Sequence, residues 1–379
     1  MKRAICLLVV CLLCGASCPA YALDTSARSA VLIEGEHGTV IYEKNASQRL
    51  SMASTTKIMT AICAIEEGNL DKKVKIAPEA VGVEGSSIYL KNGESFTLRE
   101  LVCGLMLNSG NDAAVAIAYA VSGGVDKFSR LMNEKAKKIG AKNTQFKNPN
   151  GLDEEGHYTT AYDLALIAAY GLKNEEFKKI VSTHRMTIGG EGETEKRYLT
   201  NHNKLLNMYD GCIGVKTGFT KKSGRCLVSA AQKNGVILVA VTLSAPDDWR
   251  DHTNMLNFGF DELKRKNVVS KGEPLGRVFV VNGKKAYTKI VAGEDFDISL
   301  LPKTRCVTYF FAPDKIKAPV KKDDKVGEIV VYLDGKQIKT VPAVAKDTVS
   351  IDDTRYFAKT LANIIREFTD FDSKPHNDK

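Results

Sequence analysis

Ser51-Met52-Ala53-Ser54-Thr55-Thr56-Lys57, followed by Ile58, Met59, Ala61, Ile62, Ala64 and Ile65, is a polar cap leading into an apolar helical run. Residues three apart share a helix face, so Ser54 and Lys57 stand side by side in the first turn. Backbone N–H groups there lack intrahelical partners, and the positive end of the helix dipole is close. As a neutral amine Lys57 can take the Ser54 proton, and the positive potential favours the alkoxide that forms. This makes a serine nucleophilic without histidine. Taken alone, the same spacing also describes an ordinary serine cap on an amphipathic helix.

Upstream, Lys2 and Arg3 precede the apolar stretch Ile5 to Leu13 and the small-x-small site Ala20-Tyr21-Ala22. Residues 1–22 are expected to be a secretory signal cleaved after Ala22. A lipoprotein site at Cys18 fits less well, because Gly15 stands where a large aliphatic residue belongs. With 379 residues the chain exceeds one ordinary core and is expected to form two domains.

Cys6, Cys11, Cys14 and Cys18 fall inside the signal, leaving Cys63, Cys103, Cys212, Cys226 and Cys306 scattered and odd in number. They form no disulfide framework and no metal-ligand spacing. Buried free thiols are expected, although Cys212 and Cys226 flank one hairpin and are the pair that could bridge. The formal charge of +9 falls by two without Lys2 and Arg3. A modest, dispersed basic excess suits an anionic envelope and does not argue for nucleic acid.

Along the chain, Ala30 to Ile33 and Thr39 to Tyr42 read as an antiparallel hairpin. Thr97, with Glu100 three residues on, predicts a capping box for a helix bearing Leu98, Leu101, Val102, Leu105 and Met106. That helix ends at Ser109-Gly110-Asn111, and another begins at Ala113. The Ser-Gly-Asn link exposes a hydroxyl and an amide on a short anchored loop; by itself it is also ordinary capping chemistry. Asn148-Pro149-Asn150-Gly151-Leu152 is a turn leading through His157-Tyr158-Thr159-Thr160 to a helix over 161–170. His157 is either a site residue or a loop histidine holding a backbone group, and the second role fits better. Gly211 to Thr220 reads as a strand carrying Lys216-Thr217-Gly218, followed by strands at 226–229 and 236–243 and a helix over 247–264. Alone, Lys216 is no more than an edge-strand lysine near a turn.

From about Asn267 to Val349 the pattern becomes β-alternation, with hairpin signals at Asn282-Gly283 and Asp334-Gly335 and no convincing helix. Finally, Tyr356 to Phe368 sets Phe357, Leu361, Ile364, Ile365 and Phe368 on one stripe. It is too short and polar to span a membrane. It either lies in a membrane interface or packs on the protein; the excess of acids between Ile351 and Asp372 counts against the first, and the two readings stand level.

Ser54-x-x-Lys57, Ser109-Gly110-Asn111 and Lys216-Thr217-Gly218 occur once each, in this order, on helix, inter-helix loop and strand. Together they resemble the penicillin-binding serine acyltransferases and β-lactamases, whose three motifs meet in one cleft. Gly85-Ser86-Ser87, His157-Tyr158-Thr159-Thr160-Ala161-x-Asp163-Leu164-Ala165 and the β domain narrow this to a resemblance to low-molecular-mass D-alanyl-D-alanine carboxypeptidases over nearly the whole mature chain.

The resemblance implies an α+β fold: an antiparallel sheet flanked by helices with a mainly helical subdomain over 23–264, a small all-β domain over 265–350, and a C-terminal amphipathic helix and tail over 351–379. Ser54 would attack the carbonyl between two D-alanines with Lys57 as base, while Ser109 and Lys216 relay protons or stabilise charge. Asn111 would hold the substrate amide, and Ser86 and Gly218 would line the substrate site. The oxyanion would meet the N–H groups of Ser54 and Phe219; relatives often carry histidine at Phe219, which matters little if only its N–H is used. Thr217 and Arg250 match positions assigned to the terminal carboxylate, a group that suits an arginine fork. Burial beside Lys216 should lower the Lys57 pKa.

The implied partners are peptidoglycan stems ending in D-Ala-D-Ala and β-lactam antibiotics, with no cofactor, metal or nucleic acid, at the outer face of the cytoplasmic membrane or in the wall. Glu154 and Glu155 lie between the second and third motifs but outside the Glu-x-x-Leu-Asn pattern of β-lactamases, which weakens that assignment. A DD-endopeptidase would use the same nucleophile on a cross-link, and a non-enzymatic wall-binding protein would have no need of all three motifs.

Overall fold

The computed structural model describes residues 23–372, apart from 191, 193 and 301–303. The expected signal over 1–22, with its four cysteines, and the end of the tail over 373–379 lie outside the described residues. The chain divides into two compact units, residues 1–258 and 259–379.

In the first unit β1 (Ser29–Glu34) and β2 (Val40–Lys44) form the expected hairpin. The Glu34 carboxylate accepts the N–H groups of Glu36 and His37, each at 2.8 Å, and so ties the turn to the strand end. Two short hairpins follow, β3 (Lys73–Lys75) with β4 (Ser95–Thr97) and β5 (Arg185–Ile188) with β6 (Arg197–Thr200). A meander of β7 (Cys212–Thr220), β8 (Gly224–Lys233) and β9 (Val236–Leu243) completes an antiparallel sheet ordered β2-β1-β9-β8-β7. All of β1 and most of β9 are buried. A sheet covered on both faces reads as a continuous apolar run, as in Val236 to Leu243, with no polar alternation. Strand β7 is left as an edge.

Helix α1 (Lys57–Glu67) is buried along Lys57 to Ala64. Burial of each large side chain among Ile58, Met59 and Ile62 contributes about 1.5–3 kcal/mol, and these residues join α1 to the sheet in one apolar cluster. No serine side chain of the polar stretch 51–57 caps the helix. Residues 53–56 form a 3-10 turn with no side-chain cap, and Ser51 Oγ donates to Asp153 at 2.8 Å instead. Helix α2 (Leu98–Leu107) has the expected capping box: Thr97 N–H donates to Glu100 Oε2 at 2.7 Å and Glu100 N–H to Thr97 Oγ1 at 3.2 Å. Helices α3 (Asn111–Ser122), α4 (Val125–Ile139), α5 (Ala161–Gly171), α6 (Glu175–Ser182), α7 (Leu205–Met208) and α8 (Asp248–Glu262) follow.

Cys212 and Cys226 are free thiols. Register sets Cys226 opposite Gly218, six residues along β7 from Cys212, or roughly 20 Å at strand rise. A bridge between them is excluded by that distance.

The second unit is built from β10 (Lys264–Val269), β11 (Pro274–Val281), β12 (Tyr287–Ala292), β13 (Phe296–Leu300), β14 (Cys306–Phe311), β15 (Lys315–Lys317), β16 (Lys325–Leu333) and β17 (Lys336–Ala345). Six of them make a sheet ordered β14-β16-β17-β12-β11-β15, and β10 pairs with β13. Asp334 and Gly335 both take positive φ between β16 and β17, as the two-residue hairpin signal requires. Helix α9 (Asp353–Asp372) ends the described chain. Of its stripe, Phe357, Leu361, Ile364 and Ile365 are exposed, Phe357 by 70%. No helix among the described residues is long and apolar enough to cross a membrane.

Candidate active site

Three segments converge on the 3-10 turn at Ser54. The first is the turn itself, which leaves Ser54 partly exposed and Lys57 wholly buried. Lys57 Nζ lies 2.9 Å from Ser54 Oγ, 2.6 Å from Asn111 Oδ1 and 2.5 Å from the Asn150 carbonyl. A neutral amine has two N–H donors and one lone pair. The two carbonyl oxygens take the donors, so the lone pair is left for the Ser54 hydroxyl. That is the geometry of a general base.

Burial drives the Lys57 pKa well below the ordinary lysine value, the Lys216 cation lowers it further, and Asp112 opposes the shift. Burial alone brings Lys216 down to about 7. Both amines are thus held below the ordinary lysine value, chiefly by burial.

The second segment is the α2–α3 link. Ser109 is buried at φ +60°, in the left-handed region that a non-glycine residue adopts under constraint. Its hydroxyl has no hydrogen bond to Ser54 or Lys57 among the described residues. Asn111 is fixed at every polar atom of its amide: Oδ1 accepts from Lys57, and Nδ2 donates to the Glu84 carbonyl at 2.6 Å. Its backbone N–H donates to the Ser86 carbonyl at 2.7 Å, so Ser86 anchors the loop through its main chain while its side chain is exposed.

A residue outside the three motifs, Asp112, holds the rest of that loop. Its carboxylate accepts Ser87 Oγ–H at 2.6 Å, Ile88 N–H at 3.1 Å and Leu90 N–H at 3.0 Å. The available signal was an acid directly after Ser109-Gly110-Asn111, at a helix N-terminus.

The third segment is edge strand β7. Lys216 is buried and donates to its neighbour's carbonyl, that of Thr217, at 3.0 Å. A Cβ on Gly218 would lie 3.1 Å from the N atoms of both Ser54 and Thr55, so glycine is what lets the strand approach the turn. The Arg225 carbonyl is bonded to Ala245 N–H on the β9 side, and Arg225 is the register partner of Phe219. The Phe219–Arg225 pair is thus non-hydrogen-bonded, and the N–H groups of Thr217 and Phe219 face off the open edge. The Phe219 side chain is 66% exposed.

Arg250 is not gathered into this cluster by any bond among the described residues. It pairs with Asp247 at 2.8 Å and is 69% exposed. His157 reaches the site only indirectly, through Thr56 Oγ1 at 2.8 Å. The Asn150 carbonyl, a partner of Lys57, is a backbone group and carries no signal in side-chain identity. The Gly151 beside it does, since a Cβ there would fall 2.0 Å from the Ala53 carbonyl oxygen.

A partly exposed serine beside a buried lysine, a second buried amine and an edge-strand N–H are the arrangement expected of the penicillin-interacting serine hydrolases. Residues 16–247 match the D-alanyl-D-alanine carboxypeptidase family, and residues 264–350 match the C-terminal domain of penicillin-binding protein 5. The chain belongs to the D-alanyl-D-alanine carboxypeptidase family of serine hydrolases.

Among its relatives, the D-alanyl-D-alanine carboxypeptidase DacF of Bacillus subtilis is 37% identical over 338 residues, 86% of either chain. Penicillin binding protein 5 of Haemophilus influenzae superposes with TM-score 0.65 at 28% identity, covering 86% of this chain and 98% of that one. The carboxypeptidase DacD of Francisella tularensis gives TM-score 0.63 at 27% identity, covering 86% and 94%.

Proposed function

We propose that this chain removes the terminal D-alanine from peptidoglycan stem peptides through an acyl-enzyme on Ser54, and that penicillin acylates the same hydroxyl. The observation that carries this reading is the Lys57 amine, buried, depressed in pKa and bonded to two carbonyls with Ser54 Oγ at 2.9 Å. Ser54 Oγ attacks the carbonyl carbon between the two D-alanines and its proton passes to Lys57. The oxyanion lies between the N–H groups of Ser54 and Phe219, fixed dipoles that need no reorganisation. Collapse breaks the C–N bond, the departing D-alanine amine gains the proton by way of Ser109 and Lys216, and water then hydrolyses the Ser54 ester.

Asn111 orients Lys57, and takes the substrate amide by exchanging the Glu84 carbonyl for it. Ser86 and Gly218 line the cleft. Thr217 and Arg250 receive the terminal carboxylate; Arg250 can turn from Asp247 because an exposed ion pair is worth only about 0–1 kcal/mol. That demand for a free carboxylate favours the carboxypeptidase over an endopeptidase, and Glu154 and Glu155 lie outside the Glu-x-x-Leu-Asn pattern of β-lactamases.

The same reading divides the chain into a signal over 1–22, a catalytic domain over 23–264, a β domain over 265–350 and the terminal helix and tail over 351–379. It places the mature protein outside the cytoplasmic membrane, with the exposed stripe of α9 lying in the lipid interface. Ser54→Ala is expected to abolish covalent labelling by fluorescent penicillin while leaving the circular dichroism spectrum unchanged. Labelling that persists at another residue refutes the assignment.

A further inference from the structure

The loop from Pro149 to His157 follows the nucleophile's turn and makes contact with it at several points. Thr60 Oγ1 donates to the Pro149 carbonyl at 2.6 Å, Lys57 Nζ to the Asn150 carbonyl at 2.5 Å, and Ser51 Oγ to Asp153 at 2.8 Å. Gly151 packs directly on the Ala53 peptide. Ala53 itself has φ +47°, a strained value for a residue with a Cβ. Such a turn keeps its shape only if its surroundings impose it.

His157 of this loop is bonded through its side chain to Thr56, a residue between Ser54 and Lys57 in the chain. Its Nδ1 accepts the Lys147 N–H at 3.0 Å, so the ring proton resides on Nε2, which donates to Thr56 Oγ1 at 2.8 Å. The ring sits edge-on to Phe146, with centroids 6.0 Å apart and planes at 74°. Both nitrogens are engaged, neither touches Ser54, and burial holds the imidazole neutral. Its one N–H is committed to Thr56 and its lone pair to Lys147, which leaves no free nitrogen for proton exchange with substrate. Thr56, fully buried, is the last residue of the 3-10 turn and immediately precedes Lys57.

We propose that His157 is a positioning residue for acyl transfer, acting through the Thr56 hydroxyl to fix the rotation of the turn and hence the Ser54-to-Lys57 geometry. The inference rests on the reading of Ser54 as the acylated residue. It separates His157 from a mere loop staple, because its effect must pass through one named oxygen.

The test is a double-mutant cycle on acylation by fluorescent penicillin, with binding and maximal acylation rate resolved by stopped flow. His157→Ala and Thr56→Val are each expected to lower the maximal rate about tenfold, the kinetic equivalent of one buried hydrogen bond, with initial binding unchanged. The double variant should be no slower than the slower single one. His157→Gln, which can return an N–H to Thr56, should recover most of the rate. Losses that multiply to about a hundredfold in the double variant overturn the proposal. So does Thr56→Val acylating at the unsubstituted rate, a variant that keeps the side-chain shape and serves even where His157→Ala does not fold. Failure of the unsubstituted protein to label would overturn the acyl-enzyme reading, and this inference with it.

Discussion

Replacing Lys216 with methionine should stabilise the fold while destroying acylation. Lys216 is buried, its one hydrogen bond among the described residues goes to the Thr217 carbonyl, and its pKa is brought from 10.5 to about 7. A lysine with a depressed folded-state pKa is protonated in the unfolded chain but not in the folded one between those two values. Over that window the unfolded chain holds the extra proton, so stability rises with pH. The difference of roughly 3.5 units, at 1.36 kcal/mol per unit, sets a penalty on the order of 4 kcal/mol at pH 7, falling to about 1 kcal/mol at pH 10. Methionine fills similar space without an amine, and water can satisfy the Thr217 carbonyl.

The assay is urea unfolding of both proteins at pH 7 and pH 10. Trp249, the chain's single tryptophan, lies in α8 in the first unit and reports on that unit rather than on the β domain. Lys216→Met is expected to gain about 2–4 kcal/mol at pH 7 and much less at pH 10. A loss of stability at pH 7, or a gain of equal size at both pH values, refutes the reasoning.

Gly151→Ala forces a Cβ to within 2.0 Å of the Ala53 carbonyl at φ +89°. Left-handed strain of about 1–2 kcal/mol adds to the clash, so melting temperature and penicillin acylation should fall together; a variant with wild-type values of both refutes the close approach. Arg250→Ala removes only an exposed pair with Asp247, so stability should change by no more than about 0.5 kcal/mol. Turnover of peptides ending in D-Ala-D-Ala should nonetheless drop more than penicillin acylation, and equal losses would remove Arg250 from carboxylate recognition. Deleting residues 353–379 should release the protein from phospholipid vesicles in a flotation assay, whereas unchanged flotation would assign the exposed stripe of α9 another role.

What could be read from the sequence was whatever side-chain type and spacing encode. The Thr97 capping box, the 334–335 hairpin and the meander of β7 to β9 follow from local chemistry, and the structure has them where their residues placed them. The three motifs were legible as a set because nucleophile, amide and amine are distinct chemical types. Main-chain partners were not legible in the same way. The Asn150 carbonyl that completes the Lys57 triad, and the Phe219 N–H freed by the β7 edge, are properties of register and loop path that any residue could supply. Arg250 shows the converse: its position matched a family pattern, while its observed partner is Asp247 three residues away. The Cys212–Cys226 option failed for the same kind of reason, since adjacency in a hairpin says nothing of register until the turn is located.

The placement of strain around Ser54 also has a thermodynamic logic. Ala53 and Ser109 hold left-handed backbone, and Lys57 and Lys216 are buried amines with depressed pKa values. Each is costly alone, and all four lie on the three segments that carry the motifs. The compensating apolar burial lies in the same elements, through Ile58, Met59 and Ile62 of α1 and the covered strands β1 and β9. Because α1 carries the lysine on a rigid, fully packed helix, the amine cannot escape to water and recover its proton. The packing that stabilises the fold is therefore also what holds the Lys57 pKa down, as the base role proposed for it requires.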